Sequence, residues 1–309
     1  MPVTILKAEE DIVVESVSLC IYGPPGVGKS TLAFGAKNPI CFDFDDGAYR
    51  SAFRRDVIRI GEWGDVARVT EEDLAGYDTI VIDTVGRMLD MIALHLGKSD
   101  PKTVNRLGGL SQQGWGALKS TFLAWSRRIR LMHKDVIFLA HDNITGKGSE
   151  DKIKPDMQGG SGAEVVKASD SIGYMFYEGE KRMIDFSPSS DWLGKNSSYM
   201  EREQIPDFND DPDWTAGLIK NIKSSMGRAA KSHRALLTKL DSLRGQLEDA
   251  RGADQLNKIL AVVKRSKDPY QSQAKQVLWK ASRERGGTEF DRDSGKFVDV
   301  VDDDFEVEE

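Results

Sequence analysis

Residues 23–30 read Gly23-Pro24-Pro25-Gly26-Val27-Gly28-Lys29-Ser30 and satisfy every fixed position of the template G-x-x-x-x-G-K-[ST]. The motif dictates its own surroundings. Its glycines let backbone N–H groups turn toward phosphate oxygens without a clashing Cβ. A helix opening behind it aims its positive dipole end at the same anion. Such a loop therefore needs a strand before it and a helix after it. The run at 17–22, Val-Ser-Leu-Cys-Ile-Tyr, is apolar and of strand length, and a helix can open at Lys29-Ser30-Thr31-Leu32-Ala33. Lys29 can reach the β- and γ-phosphates of a nucleotide, and the Ser30 hydroxyl can ligate Mg²⁺. Residues 23–31, ending at Thr31, form the candidate nucleotide site.

At 309 residues the chain has room for one large or two modest domains. No run of about eighteen apolar residues occurs, so no membrane span is expected. The first ten residues lack a basic segment followed by an apolar core, which argues against a signal peptide. Cys20 and Cys41 are the only cysteines, and both lie in strand-like runs. They read as small buried hydrophobes of a reducing compartment, so a cytoplasmic location is expected.

The net charge of −7 is unevenly spread. Residues 219–285 carry 16 Lys/Arg against 6 Asp/Glu, whereas residues 291–309 carry 9 acids against 2 bases. A basic segment of this kind can meet nucleic acid, and it can equally be the solvated face of a helical bundle.

Residues 1–205 alternate strand-like and helical patterns, which predicts an α/β fold with a mostly parallel central sheet. Strands are expected at 17–22, 39–44, 57–60, 79–82 and 135–141, with a hairpin of 171–177 and 182–187 around Glu178-Gly179-Glu180. Leu118, Phe122, Trp125 and Ile129 recur at helical spacing and read as core. The turn-rich, acidic stretch 206–218 reads as a linker to a basic helical region at 219–285, broken near Gly252 and Pro269. Residues 286–309 read as an acidic, disordered tail.

A phosphate loop needs a carboxylate partner for magnesium. Thr79-Ile80-Val81-Ile82-Asp83 supplies one, because ligands sit at the C-terminal edge of an open α/β sheet. With Ser30, Asp83 makes the candidate metal site. Hydrolysis also needs a group that orients and deprotonates water. Cys41-Phe42-Asp43-Phe44-Asp45-Asp46 runs into a carboxylate cluster, and Asp45 is the candidate, on the expectation that its strand lies next to the phosphate loop. A solvated acidic turn is the alternative. The strand ending at His141 offers a polar group for a phosphate oxygen.

These items occur in the order found in the RecA-like branch of the P-loop NTPases, which residues 15–200 resemble. The resemblance implies ATP and Mg²⁺ as ligands, Lys29 and Asp45 as catalytic residues, and His141 as the γ-phosphate sensor. Asp45 stands where RecA carries Glu, and His141 where the branch usually has Gln. The His looks typical of small bacteriophage RecA-like ATPases associated with single-strand annealing and homologous recombination. By the same resemblance, stretches 97–114 and 142–162 would face DNA. The second would be a flexible loop gripping single-stranded DNA through Lys147, Lys152, Lys154, Gly159 and Gly160. A homo-oligomer or a filament on DNA is implied, in the host cytoplasm if the protein is phage-encoded. Lys195-Asn196 resembles the place where such filaments donate a lysine to the neighbour's ATP.

Three functional readings stay open on the sequence. The first is a DNA-stimulated ATPase of phage-type recombination or annealing. The second is a helicase loader or replication adaptor, with the basic helices as docking surface. The third is a non-hydrolysing nucleotide switch, which would have no need of the Asp45–Asp46 cluster. The acidic end, with Phe305, resembles in composition the partner-docking tips of single-strand-binding proteins, or is a solubilising tail.

Overall fold

Strands buried on both faces mark the centre of a parallel sheet, and the apolar runs on either side of the phosphate loop have that character. The computed structural model describes residues 13–47, 51, 53–145, 151–157 and 159–300. In it β1 (Ser18–Gly23) and β2 (Pro39–Asp43) are buried along their whole length. They join β3 (Asp56–Arg59), β4 (Thr79–Asp83) and β5 (Asp135–Thr145) in parallel register. β7 (Ser171–Glu178) joins the other edge of β1 in parallel, and β8 (Lys181–Asp185) and β10 (Glu203–Gln204) continue antiparallel from it. The path across the sheet is β10-β8-β7-β1-β5-β4-β2-β3, with β6 (Lys152–Pro155) on β5 and β9 (Lys195–Asn196) on β7.

One expectation about this order is corrected. The strand leading to Asp45 does not lie beside the phosphate loop. β2 pairs with β4 and β3, and both β5 and β4 separate it from β1. The short β2 follows a six-residue helix, α1 (Lys29–Phe34), and the chain crosses two strand positions before rejoining the sheet.

Helices cover both faces, as parallel strands require. On one face α2 (Trp63–Arg68), α3 (Val85–Ser99), α4 (Gln112–Arg130) and α5 (Gly159–Ala168) shield Phe42, Ile80, Ile82 and Phe138. Leu118, Phe122, Trp125 and Ile129 of α4 are all buried there, as their spacing predicts. On the other face Leu32 and Phe34 of α1 pack with Leu218, Ile219 and Ile222 of α6 (Trp214–Asp249).

The beginning of α6 is therefore not a linker. Thr215 donates its hydroxyl to the Leu32 carbonyl at 2.6 Å, and the Ala216 N–H reaches the Gly35 carbonyl at 3.0 Å. The first adds a second donor to a carbonyl that already accepts the Gly35 N–H, and the second satisfies a carbonyl beyond the end of α1. Lys223 then donates to Asp135 at 2.7 Å, on a carboxylate that also accepts the Val17 N–H at 2.9 Å. The chain divides into Met1–Gly227 and Arg228–Glu309, a boundary inside α6 and beyond the predicted 206–218.

In the second unit the rest of α6 packs with α7 (Gly252–Arg265) and α8 (Tyr270–Arg285) around Leu240, Leu243, Leu256, Leu260 and Leu278. The breaks at Gly252 and Pro269 fall where the sequence puts them. The tail assignment needs revision, because β11 (Thr288–Asp291) and β12 (Lys296–Asp299) form a hairpin. Charge density hides its apolar anchor: Phe297 is buried in this core, and Asn257 bonds both its N–H and its carbonyl at 2.8 Å. Residues 301–309, with Phe305, lie outside the described residues. Among the described residues no helix is long and apolar enough to cross a membrane.

Candidate nucleotide site

β1 ends at Gly23, where a Cβ would come within 2.3 Å of the Met175 carbonyl of β7, so only glycine lets these strands pair so closely. The loop closes at Gly28, whose φ of 94° belongs to the left-handed region. Lys29 follows as the first residue of α1 and is 7% exposed. Its ammonium donates to the carbonyls of Gly23 at 2.8 Å and Pro24 at 2.9 Å. Burial holds this amine below the usual lysine range, against the opposing pull of Asp83 and Asp142.

Ser30 donates its hydroxyl to Asp83 Oδ2 at 2.5 Å. Burial raises the Asp83 carboxyl, and the nearby Asp45 and Asp43 raise it further, while Ser30 and Lys29 act the other way. A hydroxyl and a carboxylate that repels other acids form a hard oxygen pair suited to a small divalent cation. Among the described residues no group of three or more His, Cys, Asp or Glu has metal-binding geometry. A cation held by Ser30 and Asp83 would therefore take its other ligands from phosphate oxygens and water.

Asp45 reaches the site by a different route from the one expected. β2 pairs Asp43 with Asp83 of β4, and the turn after it delivers Asp45 beside the start of α3. There Thr84 donates to Asp45 Oδ2 at 3.3 Å, and Arg87 Nε lies 3.4 Å from Oδ1. Asp46 points elsewhere, in an exposed pair with Arg59. The sequence passes over Asp43, Thr84 and Arg87. Asp43 is buried, accepts the Gly47 N–H at 3.0 Å and so shapes the turn that aims Asp45.

His141 sits directly opposite Gly23 in the β1–β5 register, on the strand between the loop and Asp83. β5 does not stop there. It continues to Thr145 and pairs antiparallel with β6, matching Asn143 with Lys154 and Thr145 with Lys152. Residues paired across a ladder share a face, as do residues two apart along a strand. His141, Asn143, Lys154 and Lys152 therefore occupy one face of the sheet extension. The expected flexible loop is thus replaced, over 142–145 and 152–155, by a hairpin. Gly159 and Gly160 open α5 and belong to no loop. Lys147 lies outside the described residues. The other stretch holds the end of α3, a 3-10 turn at Pro101–Thr103 and a Val104–Leu110 bridge, with Ser111 capping α4. Lys195 donates to the Ser169 carbonyl at 2.5 Å and so is tied down within its own chain.

A loop, a serine–aspartate pair and a strand-end acid assembled in this way fit a nucleotide-hydrolysing core, and residues 15–198 match the AAA-domain family. The chain belongs to that family. This AAA-domain protein is accordingly a P-loop ATPase with a mostly parallel central sheet. Among solved structures it is similar to a KaiC-like protein of the hyperthermophilic archaeon Pyrococcus horikoshii OT3, with 10% identity and a TM-score of 0.32. The match covers 54% of this chain and 76% of that one, and it is too distant to bear on the site. No curated protein matches the sequence.

Proposed function

We propose that this AAA-domain ATPase hydrolyses ATP at residues 23–31 and couples turnover to single-stranded DNA, in phage-type recombination or annealing. The observation that carries the coupling is the continuity of β5, which joins His141 beside the loop to the hairpin bearing Lys152 and Lys154.

In this reading the backbone of the loop receives the phosphates, and the Lys29 ammonium exchanges its two carbonyl partners for phosphate oxygens. Ser30 and Asp83 would hold Mg²⁺, which when bound neutralises charge on the phosphates. Asp45 accepts the proton of the attacking water, and Thr84 and Arg87 fix its carboxylate for that task. His141 hydrogen-bonds the terminal phosphate, and its loss is felt along β5.

ATP turnover measured with and without single-stranded DNA, across a salt series, tests the proposal. Stimulation by DNA that fades steeply with salt is the expected result. Turnover indifferent to both would remove the DNA half and leave the ATPase. A stable complex with a cognate helicase would favour the loader reading instead.

A further inference from the structure

We infer that Arg182 is a second phosphate-binding cation of this site, engaging the α-phosphate end of the nucleotide. Arg182 is the second residue of β8, two strands from β1 on the side away from β5. Its guanidinium lies over the closing turn of the phosphate loop: Nη1 is 2.7 Å from where a Cβ on Gly28 would stand. Its Nε is buried without a hydrogen-bond partner. Among the described residues the guanidinium makes no ion pair. A buried, unmatched donor is costly to keep and points to a missing acceptor.

The acids near it do not fill that role. Asp207 feels the charge of Arg182 but forms no ion pair with it, and its Oδ1 accepts the N–H and side-chain amide of Asn209, at 2.9 and 2.8 Å. Asp211 lines the same groove, together with Thr31, Phe208 and Trp214. A planar guanidinium matches a phosphate better than any other side chain does.

The end of the nucleotide follows from the strand order. Asp83, Asp45 and His141 lie on β4, after β2 and on β5, all to one side of β1. They mark the γ-phosphate side, with Ser30 and Lys29. Arg182 lies to the other side and shares its groove with Thr31, one residue beyond Ser30. A polyphosphate stretched along a loop whose amides cradle the α- and β-phosphates presents its α end to Arg182.

The inference rests on the nucleotide-binding reading of the loop, so the test carries a separate control. Equilibrium binding of fluorescent ATP and ADP analogues is measured for the wild type, Lys29→Ala, Arg182→Gln and Arg182→Lys. Arg182→Gln is expected to weaken ATP and ADP alike, by about tenfold, with no fall in the thermal midpoint of the ligand-free protein. In phosphorus spectra of bound ADP, Arg182→Lys should move the α resonance and leave the β resonance in place. Undiminished ATP and ADP binding by Arg182→Gln, beside loss of binding in Lys29→Ala, would overturn the inference alone. So would a fall in kcat at unchanged affinity, which belongs to the γ end. A wild type that binds no nucleotide would overturn the reading of the loop and this inference with it.

Discussion

Ser30 and Asp83 share a 2.5 Å hydrogen bond that joins the helix after the phosphate loop to the end of β4. The contact is short, half-buried and placed among three carboxylates, so Asp83 is held where its charge is poorly solvated. A group kept in so unfavourable a setting costs stability, and the return is readiness for a cation and a phosphate chain.

That trade sets the first expectation, for Asp83→Asn. ATP turnover should fall by about 100-fold or more. The ligand-free protein should be more stable at neutral pH, by about 1 kcal/mol. The sign follows from linkage: a carboxyl raised in the folded state binds its proton more tightly there, so its cost is full at neutral pH. The gain should shrink as the pH falls through that raised value and vanish below the unfolded one. Chemical denaturation of both proteins at several pH values checks it.

Asp45→Asn should separate binding from chemistry. With Thr84 and Arg87 still in place, ATP affinity should stay unchanged while turnover drops by about 100-fold. Equal, near-zero turnover in the wild type and the variant would return the protein to the switch reading.

Lys223→Met tests the anchor of α6. It leaves Asp135 buried with only the Val17 N–H, at a cost of about 2 kcal/mol. Burial already raises the Asp135 carboxyl despite Lys223, and losing the ammonium raises it further. The deficit should therefore be greatest at neutral pH and diminish on acidification, and adding Asp135→Asn should recover part of it. Denaturant midpoints of the single and double variants report this.

Lys152→Gln with Lys154→Gln should leave DNA-free turnover as it was. Affinity for single-stranded DNA should fall, and the slope of log affinity against log salt should become shallower by about 1.4. Fluorescence anisotropy with a labelled oligonucleotide measures both quantities.

The chain announces its strands because each is a short apolar run closed by a chemically distinctive residue: Gly23, Asp83, His141. It does not announce their order, since pairing depends on where the long connections cross. That is why Asp45 arrives from the far side of β4. Leu218 and Ile222 are visibly periodic, yet nothing local says which core they enter. Asp207, Asp210, Asp211 and Asp213 make the segment before them look like a spacer. Phe290 and Phe297 are two aromatics in an acidic run, too few to outweigh the charge by composition alone. Arg182 belongs to no motif, and only the approach of β8 to Gly28 exposes it.

Side chains along a strand alternate, so an uninterrupted β5 fixes a parity as well as a distance. His141 and the hairpin lysines agree in parity through the register of β5 with β6. One residue inserted after His141 would exchange the faces of the rest of β5. The pocket could go on consuming ATP while Asp142 took the place of Asn143. Under the proposed coupling, the link between fuel and work is held by counting, and a single miscount would uncouple them with every functional side chain still present.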